Sequence, residues 1–229
     1  MIPFKDNVPT RRPPVMTVLL IAVNCLVFIY QQTLPHDLQV DLVYLLGAVP
    51  ARLADFQSWF FPGVHNPAVS LVSSMFMHGG WLHLGGNMLY LWIFGNNVED
   101  SMGRLRFLVF YLFCGCVAAA AQVASAPEST VPMVGASGAV SGVLGAYLIL
   151  HPFARVHTLI FIFFFIRVVE LPAILVLGVW FMLQIFNSLA APQGASGVAW
   201  LAHVGGFVSG LLLIRFFQNR RLSRSYSWH

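Results

Sequence analysis

The sequence VAWLAHVGGFVSGLLLIRFF, residues 198–217, is a long apolar run with a single basic residue, Arg215, close to its end. An α-helix needs about 20 mostly apolar residues to cross the hydrocarbon layer of a bilayer, and this run has that length. One ionisable side chain, His203, lies inside it, little more than one helical turn from its start. We therefore predict a membrane-spanning helix that carries a histidine below the membrane surface.

Five further apolar runs precede this one. The six predicted spans are residues 16–30, 81–95, 105–126, 136–150, 172–189 and 198–217. The chain of 229 residues is 58% hydrophobic and only 9% charged, whereas charged residues make up about 25% of soluble domains. This composition predicts an all-α, polytopic membrane protein, a bundle of six transmembrane helices in a single domain covering residues 1–229.

Basic residues cluster at both ends of the chain. Those before the first span are Lys5, Arg11 and Arg12, and those in or after the last are Arg215, Arg220, Arg221 and Arg224. The positive-inside rule then places both ends in the cytoplasm, which requires an even number of spans. We expect a cytoplasmic tail at residues 1–15, an outward loop at 31–78 and a second cytoplasmic tail at 218–229. No basic and aromatic pattern indicates a nucleic-acid surface.

The Phe-rich and Ile-rich stretch 156–166 could be counted as a seventh span. It is too short to cross a bilayer, and a seventh crossing would place the basic end of the chain outside. We predict instead an interfacial segment or a broken entry to the fifth span, ended by Arg167, Glu170 and Pro172.

A serine opens the fourth span in the sequence Gly135-Ala136-Ser137-Gly138. The free N–H groups and positive dipole at a helix N-terminus stabilise the oxyanion that forms in acyl transfer, and the glycines leave room for a substrate backbone. A plainer interpretation is helix packing, since small residues recur at three-residue and four-residue spacing in this span. The motif indicates a nucleophile only if a base lies within reach.

His203 is the candidate base. An ionisable residue inside a span usually faces the bundle interior or a wet cavity, and its role is either functional or a structural hydrogen bond to a neighbouring helix. Spans four and six run in the same direction, and Ser137 and His203 both lie near their outward ends. Small residues on both helices would let the hydroxyl and imidazole meet, which favours the functional role.

The second span begins near a third polar group, His78-Gly79-Gly80-Trp81-Leu82-His83-Leu84-Gly85-Gly86-Asn87. His83 and Asn87 are four residues apart and share a helix face, so both could donate hydrogen bonds to an oxyanion. His78 is expected to shape the site rather than to transfer protons. The three histidines could alternatively bind zinc, but no metal-protease motif accompanies them, and we predict no metal.

Taken together, residues 77–87, 135–138 and 202–206 resemble the motifs of the rhomboid family of intramembrane serine proteases. The resemblance covers most of the chain after about Ser73. It implies a six-helix core with Ser137 as nucleophile, His203 as general base, and His83 and Asn87 as donors to the oxyanion. The Trp-Arg pair that is frequent in the outward loop of the family is not evident before Met77. Glu99, Gly103 and Arg104 resemble the family's turn after the second span.

The resemblance implies an endopeptidase that cuts transmembrane segments near the outward face and needs no cofactor. Its partners would be the lipid bilayer and single-span or polytopic substrate proteins. The compact chain and its topology favour a bacterial inner membrane with both ends cytoplasmic, and the alternative location is a eukaryotic organelle. A rhomboid-like protein without activity, which binds or escorts membrane segments, is the first alternative. A transporter is the second, but neither paired broken helices nor a charged pathway supports it.

Overall fold

The computed structural model describes residues 1–61, 63, 66–162, 165–190 and 199–219, and it is predominantly helical. In chain order the elements are β1 (Ile2–Asp6), α1 (Val15–Thr33), α2 (His36–Leu46), α3 (Pro50–Ala54), α4 (Phe56–Phe60), α5 (Pro67–Ser73), a 3-10 turn (Ser74–Phe76), α6 (Trp81–Met102), α7 (Arg104–Ser125), α8 (Ser137–Leu150), β2 (Arg155–Ile162), β3 (Phe165–Pro172), α9 (Ala173–Ala190) and α10 (Trp200–Phe217). The fold class predicted from composition is therefore confirmed.

Six of these helices coincide with the six predicted spans. Four of them, α1, α7, α9 and α10, are long and apolar enough to cross a membrane. Helix α8 is apolar but has only 14 residues, and α6 has 22 residues with a lower mean hydropathy. The multi-pass membrane character is thus established, while crossings by α6 and α8, and hence the count of six, stay predictions. Residue 198 and the predicted tail beyond Asn219 lie outside the described residues.

The centre of the bundle is the contact between α8 and α10, where small residues bring two backbones together. A Cβ atom added to Gly206 would collide with the backbone carbonyl of Gly138, and one added to Gly210 would collide with that of Gly142. Such close approach is how membrane helices gain van der Waals contact without a hydrophobic driving force. It also holds the starts of the two helices at a fixed separation.

Within the stretch 156–166, the described residues 156–162 and 165–166 belong to strands, a secondary structure that the sequence does not predict. Strands β2 and β3 form an antiparallel hairpin in which Arg155 pairs with Pro172, and β1 adds to its other edge with Asp6 opposite Val156. Part of the predicted tail 1–15 is therefore folded. The phenolic hydroxyl of Tyr147, near the end of α8, donates to the buried carboxylate of Asp6 at 2.5 Å, which anchors the sheet to the bundle.

Both described ends of the chain lie at this same end of the bundle. Glu99, at the end of α6, accepts hydrogen bonds from the backbone N–H groups of Met16 and Thr17, the first turn of α1. The backbone N–H of Asn219 donates to the carbonyl of Ser101. Helix α8 runs from Ser137 toward the sheet over about 21 Å, so Ser137 lies at the opposite end.

The predicted outward loop 31–78 is more structured than a simple connection. Helix α1 extends three residues beyond its predicted end, and helices α2 to α5 with the 3-10 turn occupy much of the rest. A short antiparallel bridge joins Ala48 to Met133, immediately before the Gly135 motif. The segment therefore packs beside the start of α8.

Candidate active site

The nucleophile candidate stands at a backbone turn that only glycine adopts easily. Gly135 has φ of +124° and donates its N–H to the carbonyl of Ser74. Ala136 then precedes α8, whose first residue is Ser137. The first N–H groups of a helix lack intrahelical acceptors, so Ser137 lies beside backbone donors at the positive end of the helix dipole.

The imidazole of His203 reaches this hydroxyl. His203 is in the first turn of α10, and its Nε2 atom lies 2.8 Å from the Oγ atom of Ser137. The start of α10 is also fixed to α7, because the N–H of Ala202 donates to the side-chain carbonyl of Gln122 at 3.3 Å. The structure thus brings together the two residues that sequence analysis paired, although their catalytic roles stay predictions.

His83 and Asn87 stand on the other side of Gly135. A Cβ atom on Gly135 would lie 2.6 Å from Nε2 of His83 and 3.7 Å from Nδ2 of Asn87, so both side chains border the same small space. Asn87 is 8% exposed, and its Nδ2 atom has no hydrogen-bond partner among the residues that the structure describes. A buried amide donor without an acceptor is costly, and it is suited to a ligand oxygen.

A cavity of about 970 Å³ joins these groups, and Ser137, His203, His83 and Asn87 all contribute to its wall. Its lining also includes aromatic side chains, among them Trp81, Trp180 and Trp200. The volume suits an extended peptide segment rather than a single ion. Within the described ranges, no group of three or more His, Cys, Asp and Glu side chains is arranged to hold a metal ion.

His78 lies beside the cavity but away from the Ser137 hydroxyl. Its side chain is buried, its backbone exchanges hydrogen bonds with the amide of Gln31, and its ring packs edge-on against His83 at 5.1 Å. Burial, assisted by the nearby imidazole of His83, lowers the pKa of His78 to about 4. The neutral ring packs against His83, and the site-shaping role of His78 stays a prediction.

Gln184, on α9, is the site residue that the sequence analysis missed. Its Oε1 atom lies 2.8 Å from Nδ1 of His203, the ring nitrogen that faces away from Ser137. The available signal was a lone amide within an apolar span, because polar side chains in such helices usually face the bundle interior. Trp180 and Trp200 border the same imidazole, with ring centroids at 6.1 Å and 6.0 Å.

Comparison with known proteins assigns this arrangement to a family. Residues 65–220 match the family model described as the Rhomboid domain. The mitochondrial Rhomboid protein 1 of Saccharomyces cerevisiae is 31% identical over 153 residues, which are 63% of this chain and 40% of that protein. The Rhomboid protease GluP of Bacillus subtilis is 33% identical over 135 residues, 59% of this chain and 24% of that protein.

The chloroplastic Rhomboid-like protein 11 of Arabidopsis thaliana is 26% identical over 170 residues, 70% of this chain and 53% of that protein. This chain therefore spans only about a quarter to a half of the length of these three relatives. The family model, however, matches more than half of this chain and includes α6 to α10. The chain belongs to the rhomboid family.

Proposed function

We propose that this protein is an intramembrane serine endopeptidase that cleaves transmembrane segments of other membrane proteins. The observation that carries the proposal is the 2.8 Å distance between Oγ of Ser137 and Nε2 of His203 at the wall of a large cavity. A hydroxyl is a weak nucleophile unless a neighbouring base accepts its proton. Membership of a family with protease relatives supports the same reaction class.

The proposed reaction is acyl transfer in two steps. Nε2 of His203 accepts the Ser137 hydroxyl proton as Oγ bonds to the peptide carbonyl carbon, and the carbonyl π electrons move onto its oxygen. When the carbon–nitrogen bond breaks, the imidazolium returns the proton to the leaving amine. Water then attacks the acyl-enzyme with His203 again as base, which releases the carboxylic acid and restores Ser137.

The oxyanion would form between the start of α8 and the side chains of His83 and Asn87. The Nδ2 donor of Asn87, which has no partner among the described residues, borders this space beside the N-terminus of α8. Donors that are already oriented stabilise developing charge without reorganising, and this effect is usually the largest in such catalysis. The tight turn at Gly135 leaves room for the substrate backbone.

The location of the pair within the bundle determines where the substrate would be cut. Ser137 opens α8 and His203 is in the first turn of α10, so both lie at the end of the bundle opposite the sheet. Arg11, Arg104 and Arg215 lie at the sheet end, which the positive-inside rule makes cytoplasmic. The chain would then lie in a bacterial inner membrane with both ends inside and the site facing outward.

Three variants and one reagent test the proposal. Ser137→Ala and His203→Ala should each abolish cleavage of a single-span substrate in proteoliposomes, and the double variant should be no worse, because nucleophile and base act as a unit. A fluorophosphonate probe should label wild type but not Ser137→Ala. The control is Ser209→Ala on α10, which removes a buried hydroxyl that donates to the backbone carbonyl of Gly206 in the same helix.

Cleavage or labelling that persists in Ser137→Ala would refute the assignment of the nucleophile. Substrate binding without cleavage and without labelling in wild type would instead favour the rhomboid-like binding or escort function. The probe requires no knowledge of the physiological substrate, so the two functions separate even if the model peptide is a poor one.

A further inference from the structure

The contact between Gln184 and His203 involves the ring nitrogen that does not face the serine. Oε1 of Gln184 lies 2.8 Å from Nδ1 of His203, while Nε2 of the same ring lies 2.8 Å from Oγ of Ser137. Gln184 is only 6% exposed although it lies on α9, whose surface is mostly apolar. A buried amide at this distance is part of the site. The catalytic role inferred for it below rests on the proposed function.

The orientation of the Gln184 amide is fixed by a second contact. Its Nε2 atom donates to the backbone carbonyl of Trp180, one turn earlier in α9, at 3.1 Å. With the amino group occupied there, the oxygen of the amide faces His203 and can only accept a hydrogen bond. Nδ1 of His203 must therefore carry a proton.

A proton on Nδ1 leaves the lone pair of the neutral imidazole on Nε2. This tautomer is the one that can accept the hydroxyl proton of Ser137, whereas the other would point an N–H group at Oγ. When the imidazole becomes protonated, its Nδ1–H bond to the amide oxygen becomes charge-assisted and stronger. Gln184 thus stabilises the Nδ1-protonated neutral ring of His203 before proton transfer and the imidazolium after it.

A neutral amide suits this environment better than a carboxylate. Among the described residues, no Asp or Glu side chain forms a hydrogen bond or ion pair with His203, and an uncompensated charge within the bundle would be costly. Trp180 and Trp200 border the ring and restrict its rotation. Helix α9 therefore supplies the acceptor, the carbonyl that orients it and one aromatic wall.

We propose that Gln184 is a positioning residue that holds His203 in the Nδ1-protonated tautomer, so that Ser137, His203 and Gln184 form a hydrogen-bonded chain across three helices. The test compares Gln184→Leu, which removes the acceptor, with Gln184→Glu, which keeps one. The matched control is Gln122→Leu, because Gln122 is bonded to the backbone of Ala202 at the start of α10.

The first readout is the tautomer itself, measured by nitrogen-15 chemical shifts of labelled imidazoles, with His203→Ala used to assign the signal. Wild type and Ser137→Ala should both show a protonated Nδ1 and an unprotonated Nε2, and Gln184→Leu should populate the other tautomer. This measurement does not depend on activity. An unprotonated Nδ1 in wild type would overturn the inference, whatever the protein cleaves.

The second readout is the kinetics of cleavage. Gln184→Leu should lower kcat by roughly 10-fold to 100-fold with little change in KM. The substitution reduces the population of the reactive tautomer of His203 but leaves the contacts with the substrate in place. Gln184→Glu should recover part of kcat and move the acidic limb of the pH–rate profile to higher pH. Gln122→Leu should leave the shape of that profile unchanged.

Equal tautomer populations and equal kcat in wild type and Gln184→Leu would refute the role of Gln184. If Gln122→Leu shows the same loss of rate as Gln184→Leu and the tautomer is unchanged in both variants, Gln184 is a packing residue and its positioning role is also refuted. If Gln184→Leu fails to fold, the wild-type tautomer and the pH profile of Gln184→Glu decide the question. Absence of cleavage and labelling in wild type would refute the proposed function alone.

Discussion

Replacing Gly135 by alanine would have two effects: it would strain the backbone, and its Cβ atom would occupy space beside the proposed oxyanion site. The positive φ of +124° at this residue is disfavoured for alanine, at a cost of about 1–2 kcal/mol. The new Cβ would also lie 2.6 Å from Nε2 and 2.7 Å from Cε1 of His83, whereas real Cβ atoms essentially never come closer than 3.0 Å. The imidazole must withdraw by about 0.4 Å to reach that limit and by about 0.9 Å to reach ordinary contact.

A displacement of that size matters because the proposed oxyanion donors border the same space. Donors act at about 2.7–3.1 Å from the oxyanion, and a misplacement near 1 Å can cost about 100-fold in rate. We expect Gly135→Ala to lower kcat by about that factor. The assay is cleavage of a fluorescent single-span substrate in proteoliposomes, with thermal unfolding in detergent measured on the same preparation.

Gly103 provides the matched control. It also has a positive φ, +87°, but a Cβ there would meet no atom within 4 Å. Gly103→Ala should therefore lower thermal stability through strain and leave kcat near the wild-type value. A Gly135→Ala protein that is folded and cleaves within about threefold of wild type would refute the placement of the oxyanion space. An equal loss of kcat in both variants would attribute the effect to strain.

Three further results are expected. Asn87→Ala should lower kcat more than it changes KM, by about 3 kcal/mol of transition-state stabilisation, because its free amide donor is assigned to the oxyanion; an unchanged kcat in a folded variant would remove that assignment. Chelators should leave the rate unchanged, since the histidines are assigned to proton transfer and hydrogen bonding, and a loss that added zinc restores would contradict this. The scissile bond should lie near the outward end of the substrate helix, at a small residue close to a helix-weakening Gly or Pro. Mass spectrometry of the two products would locate it. Cleavage confined to the cytoplasmic third would contradict the depth assigned to Ser137.

The stability of the fold should also depend on the protonation of His78. Burial lowers its pKa from the ordinary 6.5 to about 4, so between these values the unfolded chain binds the proton and the folded chain does not. With respect to His78, the free energy of unfolding is therefore highest above pH 6.5, where the ring is neutral in both states, and it declines as the pH falls toward 4. His78→Gln should weaken this decline, measured as the unfolding temperature at pH 7.5 and 5, and an identical decline in both proteins would contradict the prediction.

The helical elements of this fold were accessible from the sequence because each satisfies a local requirement. An apolar run of sufficient length must form its backbone hydrogen bonds internally, so the boundaries of the runs approximate those of the helices. The predicted second span is 81–95, but α6 continues to Met102. Near its end, Asp100 accepts a hydrogen bond from the segment before α1, and Glu99 accepts one from the first turn of α1. These polar residues therefore belong to the end of a helix and not to a loop.

The elements that were missed depend on residues far apart in the chain. Strand β1 is polar enough to resemble a tail, and its partner β2 follows about 150 residues later, so no local pattern reveals the pairing. Gln184 was missed for a related reason. Which face of α9 turns toward His203 depends on the rotation of the whole helix, and the apolar sequence on either side of Gln184 does not specify that rotation.

The late pairing of β1 has a consequence for biosynthesis. Ribosomes add about 5–20 residues per second, so roughly 8–30 s pass between the synthesis of Asp6 and that of Val156, its partner. During this interval Asp6 is hydrated and charged, whereas in the finished fold burial raises the pKa of its carboxyl group. The strand is exposed to proteases and to other unpaired strands until the hairpin emerges. A segment made early is thus among the last to fold.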